Sequence, residues 1–334
     1  MKQSSMRCRK CVLPESPPAI RLNEDGVCNI CADFEKRKSL RSSKNWLESE
    51  FLKVLNKYSG KGKYGCLVMC SGGRDSTAAL YLMKKRYKIN PLAFTFDHGF
   101  ENEQAMVNVR NAVDILGVDW LYYKTDSMKE AFVKIIKDHP EVPICHICSL
   151  WYLGLTYDWA ARLKTPLIIA GWTKGQAAQD GETQTELASM SRATARFVEN
   201  DLRRLPGFEK FPRNTDEINR RARKKFKSVI ISPHWYLDLD DDELTELLQR
   251  EVKWKAPDLS YPAGSTNCLL NFIYVYLAMK HYGYTHYHVE MSKLIRLGEM
   301  SREEALQRLE VNFDRKQIDS ILEKIGCRLP EEKS

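Results

Sequence analysis

Short apolar segments of strand length alternate with longer helical segments between residues 64 and 172. The apolar segments cover residues 64–70, 91–97, 119–124 and 166–172. Strands separated by helices predict βαβ units, and hence a parallel sheet with helices on both faces. In such sheets ligands bind beyond the carboxyl ends of the strands. We therefore expect an α/β fold with its active site at that edge of the sheet.

The 334 residues allow one large domain or two modest ones. Residues 1–35 are rich in cysteine and proline and predict a small zinc-binding module. Residues 36–60 predict a linker helix, because their apolar positions lie on one face of a helix: Trp46, Leu47, Phe51, Val54 and Leu55. Residues 61–240 are expected to form the domain with the sheet. Residues 241–334 predict a helical region that completes the substrate pocket.

Charge and hydropathy indicate the kind of ligand and the compartment of the protein. The net charge of +8 suits an anionic ligand such as a nucleotide or a nucleic acid, although a merely basic protein would also have it. No run approaches the length of about 18 apolar residues that a membrane span needs, so none is expected. The N-terminal residues lack the apolar core of a signal peptide. The cytoplasm is the expected compartment.

A glycine-rich loop lies between the first apolar segment and a helix. Its residues are Ser71, Gly72, Gly73, Arg74, Asp75 and Ser76. Glycines let the backbone approach an anion, and the helix directs its N-terminal amides and positive dipole end to the same place. The serine hydroxyls add donors, and Asp75 can hold a Mg²⁺ ion that bridges phosphate oxygens. The alternative is an ordinary turn that caps a helix, but the whole hexapeptide in this setting favours phosphate binding.

The hexapeptide resembles the Ser-Gly-Gly-x-Asp-Ser fingerprint of the PP-loop ATP-pyrophosphatases. That superfamily includes tRNA thiolation enzymes, GMP synthetase and argininosuccinate synthetase. Its members bind ATP, attach AMP to a substrate oxygen and release pyrophosphate. The resemblance implies ATP and Mg²⁺ as ligands of residues 71–76. Arg74 stands where many members have lysine, so the positive charge is kept.

Two residues at predicted strand ends are further nucleotide-binding candidates. Asp97 closes the second strand, whose end frames the adenosine in superfamily members; a turn-forming aspartate is an equal alternative. His98, which follows it, is expected to be a loop histidine. Gly171 ends the fourth strand, where a glycine allows close approach either of the nucleotide or of another part of the chain.

Four cysteines near the N-terminus predict a structural zinc site. Cys8 and Cys11 form one Cys-x-x-Cys pair, and Cys28 and Cys31 form a second pair sixteen residues later. This spacing is typical of a four-cysteine zinc site. A tetrahedral thiolate site can fold a segment that is too short to make its own core.

The first part of the chain, about 125 residues, also resembles the N-acetyl sugar amidotransferases. The similarity includes the two cysteine pairs, the glycine-rich loop and the segment that ends at Asp97. These are PP-loop enzymes of bacterial surface-sugar biosynthesis, in which ammonia from a separate glutaminase replaces a carbonyl oxygen. The chain contains no recognisable glutaminase segment.

A third cysteine pair departs from that family. Cys145 and Cys148 precede an apolar helix, and Cys268 follows much later. This arrangement resembles the tRNA 2-thiolation enzymes, where three cysteines hold a 4Fe–4S cluster whose open iron carries sulfur. Three alternatives remain: a second zinc site that includes His146, a redox-active pair, and simple core thiols.

The function predicted from these patterns is an ATP-dependent sulfurtransferase. It would adenylate a carbonyl oxygen of a nucleobase, nucleotide or related small molecule and replace that oxygen with sulfur. A sulfur-donor protein is then an expected partner. The alternative is an ammonia-dependent amidotransferase, which would need a glutaminase subunit. A non-catalytic zinc-dependent RNA-binding protein is a third hypothesis.

Binding of nucleic acid is only weakly indicated. Residues 192–227 are rich in arginine and lysine with interleaved phenylalanines, a composition that can grip phosphates and stack on bases. A solvated helix face above an apolar stripe accounts for the same pattern and is favoured. The sequence does not indicate an oligomeric state.

Overall fold

A five-stranded parallel sheet forms the centre of the protein. The structure is a computed structural model that describes residues 6–38, 48–60, 62–176, 185–262 and 268–329. The strand order is β3-β2-β1-β4-β5. The strands are β1 Cys66–Met69, β2 Pro91–Asp97, β3 Asp119–Lys124, β4 Leu167–Ile169 and β5 Val229–Ile231. The direction of strand addition reverses between β1 and β4, which makes the crevice there the expected binding position.

The three inner strands β1, β2 and β4 are buried along their whole length, as their apolar sequences require. Val68 of β1 aligns with Ala93 on one side and with Ile169 on the other. Strand β3 lies at the edge and is only partly buried. The α/β fold with a parallel sheet is therefore confirmed, and β1 to β4 lie within the four predicted segments.

Thirteen α-helices occur in the described parts of the chain. Helices α2, α3, α4 and α9 share one core with one face of the sheet, and α5, α6, α10 and α13 share the core on the other face. The helices are α1 Asn29–Lys38, α2 Glu48–Tyr58, α3 Arg74–Tyr81, α4 Glu103–Leu116, α5 Met128–Asp138, α6 Ile144–Arg162, α7 Ala188–Asn200, α8 Thr215–Lys225, α9 Asp241–Val252, α10 Leu270–Tyr282, α11 His286–Leu297, α12 Arg302–Arg308 and α13 Arg315–Ile325.

The N-terminal cysteine-bearing segment packs on the C-terminal helices. Its buried side chains share a small core with Met190, Tyr284 and Val289. The guanidinium group of Arg302 donates to the backbone carbonyl of Cys11 at 3.0 Å. Of the linker helix predicted over residues 36–60, the structure shows α2, and α1 ends at Lys38; Trp46 and Leu47 of the expected apolar face lie outside the described residues. The domain boundaries themselves stay a prediction.

A strand that the sequence does not reveal follows the later basic region. The sequence patterns predict no strand after residue 172, but β5 lies just after the basic residues 192–227 as a three-residue edge strand. The interleaved phenylalanines Phe197, Phe208 and Phe211 are buried; Phe197 is on α7, and the other two lie in the segment before α8. No helix in the described ranges is both long and apolar enough to cross a lipid bilayer.

Candidate active site

A cavity of about 990 Å³ opens beyond the carboxyl ends of β1 and β4. Its walls come from the glycine-rich loop, the segment after β4, the short helix after β5, and helices α6, α9, α11 and α12. The lining includes Ser71, Gly73, Arg74, Asp75, Ser76, Tyr152, Gly171, His234, Asp241, Tyr287, Glu290 and Arg308. The cavity therefore lies at the reversal point of the sheet, where a ligand is expected.

The glycine-rich loop is closed on itself by its two serines. The backbone N–H of Ser71 donates to Oγ of Ser76 at 3.1 Å, and the two hydroxyls lie 3.2 Å apart. The Ser76 hydroxyl also contacts the carbonyl of Gly73 at 3.1 Å. Gly73 is the N-cap of α3 and provides no side-chain acceptor for the first amides of that helix. The residues that carry those amides line the cavity, and helix N-terminal amides without a side-chain cap suit an anionic ligand.

Gly72 occupies a position that only glycine fits. Its φ is +80°, and a Cβ atom would lie 2.0 Å from the backbone oxygen of Ala105. Its carbonyl accepts hydrogen bonds from the Asn108 side chain at 3.1 Å and the Trp254 indole at 3.0 Å. Asn108 lies on α4 and Trp254 lies just after α9, so both elements fix the conformation of the loop.

The segments after β4 and β5 support the loop from the other side. A Cβ atom on Gly171 would lie 2.4 Å from the backbone nitrogen of Ser76, so this glycine lets β4 pack directly against the start of α3. Nε2 of His234 lies 3.0 Å from the carbonyl oxygen of Asp75. Gly171 also lines the cavity. Its contact with a nucleotide stays a prediction.

Asp97 is engaged in the turn that ends β2. One carboxylate oxygen accepts the backbone N–H of Gly99 at 2.6 Å, and the other accepts the Tyr122 hydroxyl. Its side chain is buried. The geometry matches that of a turn-forming aspartate, and a role at the adenosine stays a prediction.

A half-buried carboxylate on α11 faces the glycine-rich loop across the cavity. Glu290 accepts the Thr173 hydroxyl at 2.6 Å and the Gln176 amide at 3.1 Å. Burial raises the pKa of Glu290, and the negative charge of Asp75 raises it further. Sequence reasoning missed this residue because nothing in the pattern of α11 separates it from an ordinary surface glutamate.

The four N-terminal cysteines form a buried tetrahedral cluster. The Sγ atoms of Cys8 and Cys31 are 4.0 Å apart, those of Cys11 and Cys28 are 3.8 Å apart, and all four lie within 4.8 Å of one another. A tetrahedral site with Zn–S bonds of about 2.3 Å has edges of about 3.8 Å. The donor set and the spacing therefore fit a structural metal ion such as zinc.

Backbone amides in the same cluster point at the sulfurs. The N–H of Cys28 donates to Sγ of Cys8 at 3.2 Å, and the N–H of Cys31 donates to Sγ of Cys28 at 3.4 Å. Such donors stabilise thiolate ligands, because they partly neutralise the charge on sulfur.

The three remaining candidate cysteines are gathered around Glu101. Cys268 forms an antiparallel β-bridge with Glu101 just before α10. The thiols of Cys145, Cys148 and Cys268 each interact electrostatically with the Glu101 carboxylate, and Cys268 also interacts with the other two. All three pack against the same apolar core. The fold thus brings two residues of α6 close to a residue more than a hundred positions later.

Burial raises the pKa of all three thiols, with that of Cys145 at about 12. The side chains do not line the cavity among the described residues, but their neighbours do. Tyr152, one turn after Cys148, lines it. So does Tyr287, which interacts electrostatically with Cys145. The thiols therefore lie behind one wall of the cavity.

His98, rather than His146, is the histidine that lies beside Glu101 and Cys268. His146, the histidine of the second-zinc alternative, directs Nδ1 to the Thr194 hydroxyl at 3.3 Å. His98 is in the predicted loop but its side chain is buried, and its imidazole, the Glu101 carboxylate and the Cys268 sulfur lie within 4.8 Å of one another. The sequence does not reveal Glu101 or the environment of His98, because both depend on the contact of the turn after β2 with Cys268, which is distant in sequence.

Comparison with known proteins gives two sequence matches. A family model for the C-terminal domain of WbpG-like LPS biosynthesis proteins matches residues 266–331, which include Cys268, Glu290 and Arg308. This match fits the resemblance of the N-terminal part to the sugar amidotransferases. An uncharacterized protein from Methanocaldococcus jannaschii is 26% identical over 325 residues, covering 97% of this chain and 100% of that protein.

Solved structures give weaker likenesses. The U34-tRNA thiolase NcsA from Methanococcus maripaludis, solved with its 4Fe–4S cluster, has a TM-score of 0.34 and 17% identity, covering 93% of this chain and 92% of that one. The NH3-dependent NAD synthetase from Campylobacter jejuni has a TM-score of 0.36 and 16% identity, covering 91% and 96%. The NMN synthetase from Francisella tularensis has a TM-score of 0.37 and 13% identity, covering 90% and 98%. Likenesses of this size carry no argument about activity, and the fold assignment stands on the parallel sheet itself.

Proposed function

We propose that this protein is an ATP-dependent enzyme that attaches AMP to a carbonyl oxygen of its substrate and then replaces that oxygen with sulfur. The observation that carries the proposal is that Cys145 and Cys148, at the start of α6, pack against the same core as Cys268, and that Tyr152, one turn further along α6, lines the cavity. The substrate class is a nucleobase, a nucleotide or a related small molecule.

The glycine-rich loop supplies the ATP half of this reaction. Its serines and the uncapped amides of α3 would hold phosphate oxygens, and Asp75 would hold a Mg²⁺ ion that bridges them. A substrate carbonyl oxygen attacks the α-phosphorus, and the bond to the β-phosphate breaks to release pyrophosphate. The carbon is then bonded to a good leaving group, AMP.

The three cysteines supply the sulfur half. As thiolates they suit a 4Fe–4S cluster, which would leave one iron open to bind sulfide. Sulfide adds to the activated carbon and AMP leaves with the former carbonyl oxygen, so that C=O becomes C=S without a redox change. Burial raises the pKa of these thiols, which argues against a redox pair, since a reactive pair needs a lowered thiol pKa; a cluster would bind them with loss of their protons.

Replacement of Asp75 tests the ATP half. Asp75→Asn removes the charge that would hold Mg²⁺ and keeps the side-chain volume, so we expect pyrophosphate release to fall by about 100-fold or more. Asp158→Asn is a matched control, because Asp158 is exposed on α6 and pairs only with Lys225 among the described residues. Substrate-dependent pyrophosphate release by Asp75→Asn at the wild-type rate would refute the ATP half.

Metal analysis and product analysis test the sulfur half. Protein prepared without oxygen should be brown and contain about four irons per chain. Serine replacements at Cys145, Cys148 and Cys268 should remove the iron and the thiolated product but leave ATP binding intact, because the glycine-rich loop is separate. Cys327→Ser is the control, since that buried thiol belongs to neither cysteine cluster.

A second candidate function is an ammonia-dependent amidotransferase. The match of residues 266–331 to the WbpG-like family favours it, together with the N-terminal resemblance. The ATP half is unchanged, and ammonia takes the place of sulfide, giving an amide or amidine. A colourless protein whose triple serine variant still converts substrate with ammonium would establish this function and exclude sulfur transfer.

A further inference from the structure

The cationic side chains of the cavity lining are all held by carboxylates. Among the described lining residues, Lys174 pairs with Glu299 at 2.7 Å. Arg74 pairs with Asp75 at 2.9 Å. Arg308, from α12, pairs with Glu304 at 2.7 Å. An incoming phosphate group therefore finds no lysine or arginine in this lining that is free of an acidic partner.

Asp241 links the two arginines directly. One carboxylate oxygen lies 2.9 Å from the guanidinium of Arg74, and the other lies 3.2 Å from the guanidinium of Arg308. The three side chains remain partly exposed, with values of 21%, 34% and 41% for Arg74, Arg308 and Asp241. Ion pairs with this exposure are weak and exchange with solvent and ligands.

The Asp241 carboxylate is not needed to start its helix. Asp240 is the N-cap of α9, and its side chain accepts the backbone N–H groups of Asp242 and Glu243. The side chain of Asp241 instead points to the two arginines in the cavity. Proteins hold phosphate groups with guanidinium groups that converge in this way. A phosphate group carries more charge and more acceptor oxygens than a carboxylate, so it competes well for the two arginines.

We propose that Arg74 and Arg308 form a phosphate site, and that Asp241 occupies this site when no phosphate is bound. A phosphate group displaces the Asp241 carboxylate and takes over both guanidinium groups. The C-terminal helix α12 thereby contributes a binding residue to a cavity that begins at the glycine-rich loop. This inference rests on the proposed function only in that the phosphate belongs to ATP or to a phosphorylated second substrate.

Calorimetric titration of the full-length protein with magnesium pyrophosphate tests the site without turnover. Arg308→Gln should weaken binding by about fivefold or more, because one guanidinium is lost. Asp241→Asn should tighten binding by a similar factor, because the competing carboxylate is gone. Arg315→Gln and Asp319→Asn are matched controls, since this pair lies exposed on α13 and changes the net charge equally.

A second titration identifies the source of the phosphate. Inorganic phosphate is added to protein that is already saturated with a non-hydrolysable ATP analogue. If Arg308→Gln weakens the binding of inorganic phosphate but not that of pyrophosphate, the site takes a phosphate of the second substrate. If it weakens the binding of pyrophosphate but not that of inorganic phosphate, the site belongs to ATP. Either result supports the site.

The proposal is overturned if Arg308→Gln changes neither titration, or if Asp241→Asn weakens binding in a protein that melts like the wild type. Because these titrations involve no chemistry, the phosphate site can fail while AMP transfer stands. It can equally hold in a protein that proves to have another activity.

Discussion

Nε2 of His98 lies 3.5 Å from the sulfur of Cys268 and 3.2 Å from the carboxylate of Glu101. The backbone N–H of Phe100 donates to Nδ1 of the same ring at 3.3 Å, which assigns the single proton of the neutral imidazole to Nε2. Burial lowers the pKa of His98 to about 4, so the ring is neutral at physiological pH. The single N–H group of His98 therefore faces both the Glu101 carboxylate and the Cys268 sulfur, and the carboxylate is the closer acceptor.

The first prediction concerns this N–H group. Hydrogen bonds to the ligand sulfurs help to set the reduction potential of an iron–sulfur cluster. With a cluster on Cys268, His98→Phe should lower the midpoint potential and reduce iron retention, whereas His98→Gln, which keeps an N–H donor, should retain more of both. Redox titration with iron analysis measures the two effects. Equal potentials in the wild type and in His98→Phe would contradict the role of the hydrogen bond.

The fold could be predicted where local sequence patterns are complete. Each of the first four strands contains enough apolar residues in a row to stand out from the helices beside it. Strands β4 and β5 both have three residues, but Ala170 extends the apolar run of β4, whereas serines flank the run of β5 on both sides and a strongly basic helix precedes it closely. Its position at the sheet edge depends on pairing with β4, which is a tertiary contact.

Some residues of the candidate site could likewise be found from local sequence, and others depend on tertiary contacts. The loop from Ser71 to Ser76 could be found because all of its chemistry lies within six consecutive residues. The relation of Arg74 to Asp241 and Arg308 could not, because it joins the starts or ends of three helices that are far apart in sequence. The same holds for Glu290, whose importance depends on the cavity that it faces.

The second prediction uses the close contact at Gly171. Gly171→Ala places a methyl group 2.4 Å from the backbone nitrogen of Ser76, and backbone atoms cannot move aside cheaply. We expect a loss of about 1–3 kcal/mol in the free energy of unfolding and weaker ATP binding, because the glycine-rich loop must shift. Gly154→Ala is the control: no atom lies within 4 Å of its new Cβ, and alanine favours helix α6.

Chemical denaturation and nucleotide titration of both variants measure this effect. A Gly171→Ala protein as stable as the wild type, with unchanged ATP affinity, would show that the loop tolerates the shift.

The third prediction concerns the N-terminal metal site. Cys28→Ser removes one of four buried sulfurs, so the segment should lose its metal ion and the folding free energy linked to it. Zinc content should fall from about one ion per chain, and the melting temperature should decrease. Cys327→Ser, which alters a buried thiol elsewhere, should keep its zinc. Zinc content and melting temperature that match the wild type in Cys28→Ser would remove the structural-metal assignment.

The last prediction follows from histidines that are buried in the neutral form. Burial lowers the pKa of His286 and of His288 to about 3, and that of His98 and His146 to about 4. In the unfolded chain a histidine has a pKa of about 6.5. Above this value neither state binds a proton, and the full stability is present. As the pH falls below it, the unfolded state gains protons that the native state cannot accept, so stability decreases.

Each such histidine should reduce the free energy of unfolding by about 1 kcal/mol between pH 6.5 and pH 5.5. His288→Gln isolates one of these contributions: glutamine suits the third helical position of a capping box, so the Thr285 cap of α11 can be kept. Urea unfolding at pH 7.5, 6.5 and 5.5 should show that the free energy of unfolding decreases less steeply with falling pH in this variant than in the wild type. Above pH 7 the free energy of unfolding should depend on pH equally in the two proteins. Identical slopes at low pH would mean that His288 is protonated in the native state, which its buried position beside the Thr285 hydroxyl does not favour.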